Sequence, residues 1–317
     1  MNFFTFNFLF LFIIFYVESF NSQPYNNWDD EKIVVINESQ NCEIMNMESV
    51  YDDGWDQLPQ IIFWKRIMHL SPDSCLVNCA SNRRVLKMIP FEEWNSLTKT
   101  EKTEKREFYK KEFNLPSDEY VYVTSGKSKF YLFKKVYPSL APGVAAFEKN
   151  NVDPWYAQAI LLIESPAQLK KSVVGAYGAF QLMPAVARAQ GLKVNSKIDE
   201  RKDFDKSAFA ASQLIKTICI PHAKKILKAH NIEFKEDELW FRLFVLHIYH
   251  AGAYNVKAVV DKIAPKSGGQ ELIREMWRTK AASFGNNSQN YSQVALASQL
   301  ILNDIVYKEF EAVYNCD

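Results

Sequence analysis

The apolar and polar positions divide the chain into unlike stretches. Residues 1–17, MNFFTFNFLFLFIIFYV, are almost wholly apolar and aromatic, and a polar ESFNSQ follows. A run this short at an N-terminus reads as a secretory signal peptide over 1–23, with cleavage near Ser22–Gln23, although it carries no Lys or Arg. It is marginal for the roughly 20 apolar residues a membrane span needs, and no other run could span a membrane. Residues 24–60 are rich in Asn, Asp and Glu and read as an extended lead. FEEWNSLTKTEKTEKREFYKKEFNL combines helical spacing with dense mixed charge, the mark of a solvated helix face. VYVTSGKSKFYLF, 121–133, alternates as a strand does. Its GKS is not a phosphate loop, because Val121 stands where that motif needs glycine.

From 141 onward the spacing is helical. Pro184–Gln190 reads as a short helix closed by Gly191, Lys206–His230 as a long one bent or split at Pro221, and Glu238–Ala251 as one ending at Gly252. Asn255–Ile263 and Ser292–Phe310 follow, with KSGGQ at 266–270 as a loop. The expected fold is mainly α: a helical domain over 141–317 preceded by a small α+β appendage over 24–140 that carries no recognisable chemistry. A chain starting near Ser139 is expected to fold alone.

Within this pattern the stretch Trp155–Gln181 is the focus. Asp153 can cap the free N–H groups of a helix start, and Pro154 suits the first helical position. The residues after it are apolar on nearly every side apart from Gln158, which marks a buried helix. Tyr156, Ile160 and Glu164 share one stripe. The helix ends at Ser165, because Pro166 disfavours helix for the residue before it. Glu164 therefore sits in the last turn. The negative end of the helix and the apolar surroundings both disfavour its carboxylate, which raises its pKa toward that of a general acid. A helix-end Glu facing water is the competing reading, and the helix alone does not separate the two.

Further residues weigh on the choice. GAYGAFQLMP, Gly175 to Pro184, has two glycines three apart among small and apolar neighbours, suggesting a turn packed close to another backbone, with Gln181 as its one amide side chain. IYHAG at 248–252 ends a later helix. ES at Glu164–Ser165, GAYGAFQLMP and IYHAG resemble, in order and spacing, the three motifs of the lytic transglycosylase (SLT) domain, of lysozyme-like fold. Ser172 falls where that family has a serine before its Gly-Ala. The likeness covers roughly 145–265. NYSQVALASQLI at 290–301, which includes Tyr291, echoes the murein transglycosylase D group, the closest in pattern. The chain departs from the family at Ala179–Phe180 (usually Leu-Met), at His250 (usually Asn), at Ala253–Tyr254 (usually Pro-Gly), and in a link from Glu164 to Ser172 one residue shorter than usual. These changes bear on substrate contacts more than on chemistry.

The resemblance implies an enzyme acting on peptidoglycan strands without cofactor or metal, exported to the periplasm or secreted, with other cell-wall enzymes as further partners. Glu164 would be the catalytic group, acting first as acid and then as base. Ser165, Ser172, Gly175, Gln181, Met183, Tyr249, His250 and Tyr291 would bind substrate. A goose-type hydrolytic lysozyme and a catalytically silent peptidoglycan-binding protein are the alternatives. A lysozyme would need another acid to hold water; Asp199, Asp203 and Asp205 read as a solvated loop.

Composition narrows the picture little further. A net charge of +1 excludes a general affinity for nucleic acid or an acidic membrane. Cys42, Cys75, Cys79, Cys219 and Cys316 leave one thiol over if disulfides form, and Cys75–Cys79 is a candidate local pair in an oxidising compartment. Cys75 and Cys79 lack the two further ligands a zinc site needs. His247 and His250 lack a matching carboxylate motif, so packing and hydrogen bonding explain them better.

Overall fold

The computed structural model describes residues 28–37, 40–164 and 171–314; the expected signal peptide, Ser165 and Cys316 lie outside the described residues. The protein is mostly helical, with a small sheet region toward the N-terminus. An antiparallel hairpin of β1 (Lys32–Asn37) and β2 (Gln40–Met45) leads into α1 (Ser49–Asp52) and α2 (Pro59–His69). β3 (Ser74–Cys79), β4 (Val85–Pro90) and β5 (Val121–Ser125) pair in the order β4-β3-β5, all antiparallel. Between β4 and β5 run α3 (Phe91–Asn95) and α4 (Lys99–Glu112), the latter opened by a reciprocal capping box of Thr98 and Glu101.

The helical part follows: α5 (Phe133–Lys149), α6 (Trp155–Glu164), α7 (Pro184–Ala189), α8 (Phe204–Leu214), α9 (Ile220–Ala229), α10 (Leu239–Ala251), α11 (Ala253–Ile263), α12 (Gln270–Arg278) and α13 (Asn286–Tyr314). α6 lies at the centre, against α5, α13 and β2. Nine of its ten residues are buried, as its unbroken apolar sequence requires.

Several local readings need correction. The strand over 121–133 ends at Ser125, and α5 begins at Phe133. At the break is Gly126, where a Cβ would meet the Ser71 carbonyl oxygen at 2.2 Å. α5 runs through Pro138 and Pro142, held by a buried face of Val136, Leu140, Val144 and Phe147. The bend in the 206–230 stretch is a π-helical turn at Ile215–Cys219, upstream of Pro221, which sits in the first turn of α9 where its missing N–H costs little. Residues 24–60 are more than a lead: Ile44, Met45, Met47, Val50 and Trp55 are all buried. Cys75 and Cys79 are free thiols. They lie four residues apart on one strand, about 13 Å along it, beyond the reach of a disulfide.

The period-two geometry of β3 joins two layers. Cys75 and Val77 pack with Ile89, Tyr109 and Val121, the last two from α4 and β5. Leu76, on the opposite face, joins the main core. That core runs without interruption from β2 and α2 to α13. Gln158, the one polar side chain inside α6, is fully buried and paired: its Oε1 accepts from Met45 N at 2.9 Å, and its Nε2 donates to Met45 O at 3.0 Å and to Gln299 Oε1 at 2.8 Å. Trp64 on α2 donates to Gln293 Oε1 on α13 at 3.1 Å. Residue 140, where the sequence suggests a division, falls inside α5. A chain starting at Ser139 would cut that helix, uncover α6 and α13, and leave the buried Gln158 amide without its Met45 partner. Such a chain is expected to be insoluble, or to show helical far-UV but no near-UV circular dichroism, while residues 24–317 stay soluble. A sharp cooperative melt of the shorter chain would show that the appendage is dispensable.

Candidate active site

Asp153 and Arg242 anchor the start of α6. Asp153 Oδ1 accepts from Trp155 N at 2.9 Å, the expected cap, and its Oδ2 accepts from Arg242 Nε at 2.7 Å. Arg242, on α10, also reaches Glu31 at 2.8 Å and stacks on Trp155. At the other end Glu164 is half-buried and receives a hydrogen bond from Tyr291 Oη at 2.6 Å. Burial pushes its pKa up to about 7, against the Tyr291 bond, which favours the carboxylate and lowers it. No carboxylate among the described residues acts on it.

A ring of aromatic residues surrounds the acid. Tyr291 stacks on His250, with ring centroids 4.3 Å apart. Tyr249 donates its hydroxyl to the Phe180 carbonyl oxygen at 2.6 Å. Burial raises the pKa of Tyr249 and of Tyr291, and the charge of Glu164 raises both further, so each stays a neutral hydroxyl. Tyr131, between β5 and α5, has its pKa raised first by burial and then by Glu164. It was not among the sequence candidates, because its stretch reads as a strand. Tyr131 thus lies near enough to Glu164 to feel its charge.

The loop after the acid is built by backbone contacts. Ser172 Oγ accepts from Ala176 N at 2.9 Å and so closes its own turn. Gly175 adopts φ +94° with open space where a Cβ would be. At Gly178, φ +85°, a Cβ would lie 2.0 Å from the Arg201 carbonyl oxygen, so the glycine is required there. Gln181 also has a positive φ, +46°, and its Nε2 donates to Gly178 O at 3.0 Å. Met183 precedes α7 and is exposed. Phe180 is buried and stacks near Phe147, so this position fills the core rather than a cleft.

Sequence reasoning also missed the side chain that holds this loop. Arg201 is 2% exposed; its Nη1 donates to Gly175 O at 2.8 Å and to Leu182 O at 2.7 Å, and Asp199 pairs with its Nε and Nη2. A charged IDERKDF segment looks like solvated loop, and only the fold turns this arginine inward. His247 is buried too. Trp277 Nε1–H donates to Ser292 Oγ at 2.7 Å, and Ser292 lies 2.8 Å from His247 Nε2. Burial lowers the His247 pKa to about 3, so it packs as a neutral ring. Among the described residues, no three His, Cys, Asp or Glu side chains gather as a metal set.

Residues 144–267 match the family model of the Transglycosylase SLT domain, less than half of the chain. Members of that domain family are lytic transglycosylases acting on peptidoglycan, which supports an enzyme role for this segment and a peptidoglycan substrate. No curated protein matches the chain. No helix among the described residues is long and apolar enough to cross a membrane.

Proposed function

We propose that the protein is a peptidoglycan lytic transglycosylase whose acid and base are one residue, Glu164. The observation that carries this reading is the carboxyl at the end of buried α6, with a pKa of about 7 and a Tyr291 hydroxyl 2.6 Å away. Near neutral pH such a group is populated in both protonation states, as a residue that must give a proton and then take one requires. The protonated carboxyl donates to the oxygen bridging N-acetylmuramic acid and N-acetylglucosamine, and the glycosidic bond breaks with assistance from the muramic N-acetyl group. The resulting carboxylate then takes the proton of the C6 hydroxyl, whose oxygen closes a 1,6-anhydro ring at the former anomeric carbon. No water is consumed. Tyr249, His250 and Tyr291 line the acid, Ser165, Ser172, Gly175, Gln181 and Met183 contact the sugars, and residues 1–23 direct export to the periplasm or beyond it. The echo of the D group at 290–301 supports counting Tyr291 in the same functional set.

Two measurements test this. Mass spectrometry of the soluble products from purified sacculi should find muramic ends lighter by one water than those of a hydrolase; reducing ends would favour the goose-type lysozyme. That alternative lacks support among the described residues, where no second carboxylate acts on Glu164. Tyr291→Phe removes the bond that lowers the Glu164 pKa. The high-pH limb of the kcat/KM profile, where the acid loses its proton, should therefore move upward from about 7. An unmoved limb would mean that another group titrates there.

A further inference from the structure

Among the described residues Arg83, Arg201 and Arg242 are buried, and they differ in one respect. Arg201 is paired with Asp199, and Arg242 with Asp153 and Glu31. Arg83, 5% exposed, has no acidic partner among the described residues. Its guanidinium is held by neutral amide oxygens: Asn78 Oδ1 at 3.3 Å from Nη1, and Asn286 Oδ1 at 2.8 Å and Asn290 Oδ1 at 2.6 Å from Nη2. Its face lies over Tyr122, 4.7 Å from the ring centroid. Nε–H and one N–H of Nη1 keep no acceptor. Burial lowers its pKa to about 10, with no carboxylate to oppose the shift. Buried charges are normally paired, because an uncompensated one is costly.

Arg83 also lines a cleft. A cavity of about 370 Å³ lies where the β3–β5 edge meets the end of α12 and the start of α13, lined by Arg83, Tyr120, Tyr122, Arg278, Asn286 and Gln289. Two acids, Asp118 and Glu119, line its rim, and Glu119 is engaged by the backbone and hydroxyl of Ser81. Two neighbours on α13 tie this cleft to the acid. Asn290 holds Arg83, and Tyr291 holds Glu164. The two sites therefore both touch the same turn of α13, since Asn290 and Tyr291 are consecutive on it.

We propose that this cleft binds the free α-carboxylate of a peptide, and that it recognises the peptide portion of the substrate while Glu164 acts on the glycan. Both Nη2 donors are taken, and Nε–H and the unused Nη1–H lie on different edges of the guanidinium, so one carboxylate oxygen would accept from one of them in a charge-assisted bond. Tyr120 and Tyr122 offer apolar surface to small side chains, and Asn286 and Gln289 offer amides to a peptide backbone. Arg83, Tyr122, Arg278 and Asn286 all lie outside the matched segment 144–267, so the cleft belongs to what is particular to this chain. The inference rests on the peptidoglycan reading above, since peptide stems hang from its muramic residues.

Calorimetric titration of the full chain with Nα-acetyl-D-alanyl-D-alanine, with its C-terminal amide, and with inorganic phosphate is the test. The acid should bind, and the amide should bind on the order of tenfold more weakly, because a charge-assisted pair is lost. Phosphate should bind more weakly than the acid. Arg83→Gln should abolish the difference between acid and amide. If that variant fails to fold, Arg278→Gln, at the exposed rim, should weaken the acid several-fold and leave the amide unchanged. Equal binding of acid and amide, no binding of either, or tighter binding of phosphate would each overturn the proposal. Sacculi solubilised normally by a chain that binds no dipeptide would sink this inference alone; sacculi left intact by the wild type would sink the catalytic reading.

Discussion

Glu164→Gln is expected to abolish digestion of sacculi while making the protein more stable at alkaline pH. The two effects have one origin. Proton transfer by a positioned group is worth on the order of 10²–10⁴ in rate, and here one group is proposed to serve both proton transfers, so the loss should reach ~10⁴ or more. The amide keeps the shape of the side chain and can still accept from Tyr291. Stability follows from linkage. The folded protein holds the Glu164 proton up to a pKa of about 7, against an ordinary 4.5. Between these values the native state binds more protons than the unfolded state, so the carboxyl destabilises the fold progressively as pH rises through that window. Glutamine has no proton to lose. The variant should therefore gain up to about 3 kcal/mol relative to wild type at pH 8, and nothing below pH ~4. Urea unfolding of both proteins at the two pH values checks this. A variant that digests sacculi at the wild-type rate would show that the acid lies elsewhere. One that is inactive but no more stable at pH 8 would show that the carboxyl is not strained by burial.

The largest purely structural loss is expected at Arg242. Its guanidinium joins α10, the cap of α6 and Glu31 ahead of β1, and it is 3% exposed. Arg242→Met keeps much of the volume but leaves the carboxylates of Asp153 and Glu31 facing each other without their cation. Removing one partner of a buried pair typically costs about 3–5 kcal/mol. The deficit should shrink on acidification. Burial already raises the Asp153 pKa, Arg242 opposes that rise, and without Arg242 the acid takes up a proton more readily. The midpoint of urea unfolding at pH 8 and at pH 5 is the measurement. A cost below about 1 kcal/mol at pH 8 would show that apolar packing replaces the cluster. Because Asp153 also caps α6, a loosened variant should lose activity at temperatures where it is still folded.

Local signals were enough for α6 and for the direction of the Glu164 pKa shift. The Asp153–Pro154 start and the apolar run act over one or two turns, so they can be read in order along the chain. The apolar run foretells the burial that raises the Glu164 pKa, and the motifs at 175–184 and 248–252 lie in helices and turns of short range. What surrounds Glu164 was decided elsewhere. Tyr291 lies 127 positions away from it, and Met45 lies 113 positions from Gln158. Tyr131 feels the charge of Glu164 from a segment whose alternation breaks at Gly126, where the Ser71 carbonyl leaves no room for a side chain. Arg201 and Arg83 sit in charged, loop-like sequence, and no periodicity says that a cation there turns inward. Composition could not separate residues 24–140 from the core either, since a polar stretch with a few well-spaced apolar residues looks like a lead until a helix is found to cover them. Hydrogen-bond partners and shared cores are set by which surfaces meet, and that is determined by the packing of the whole chain around α6.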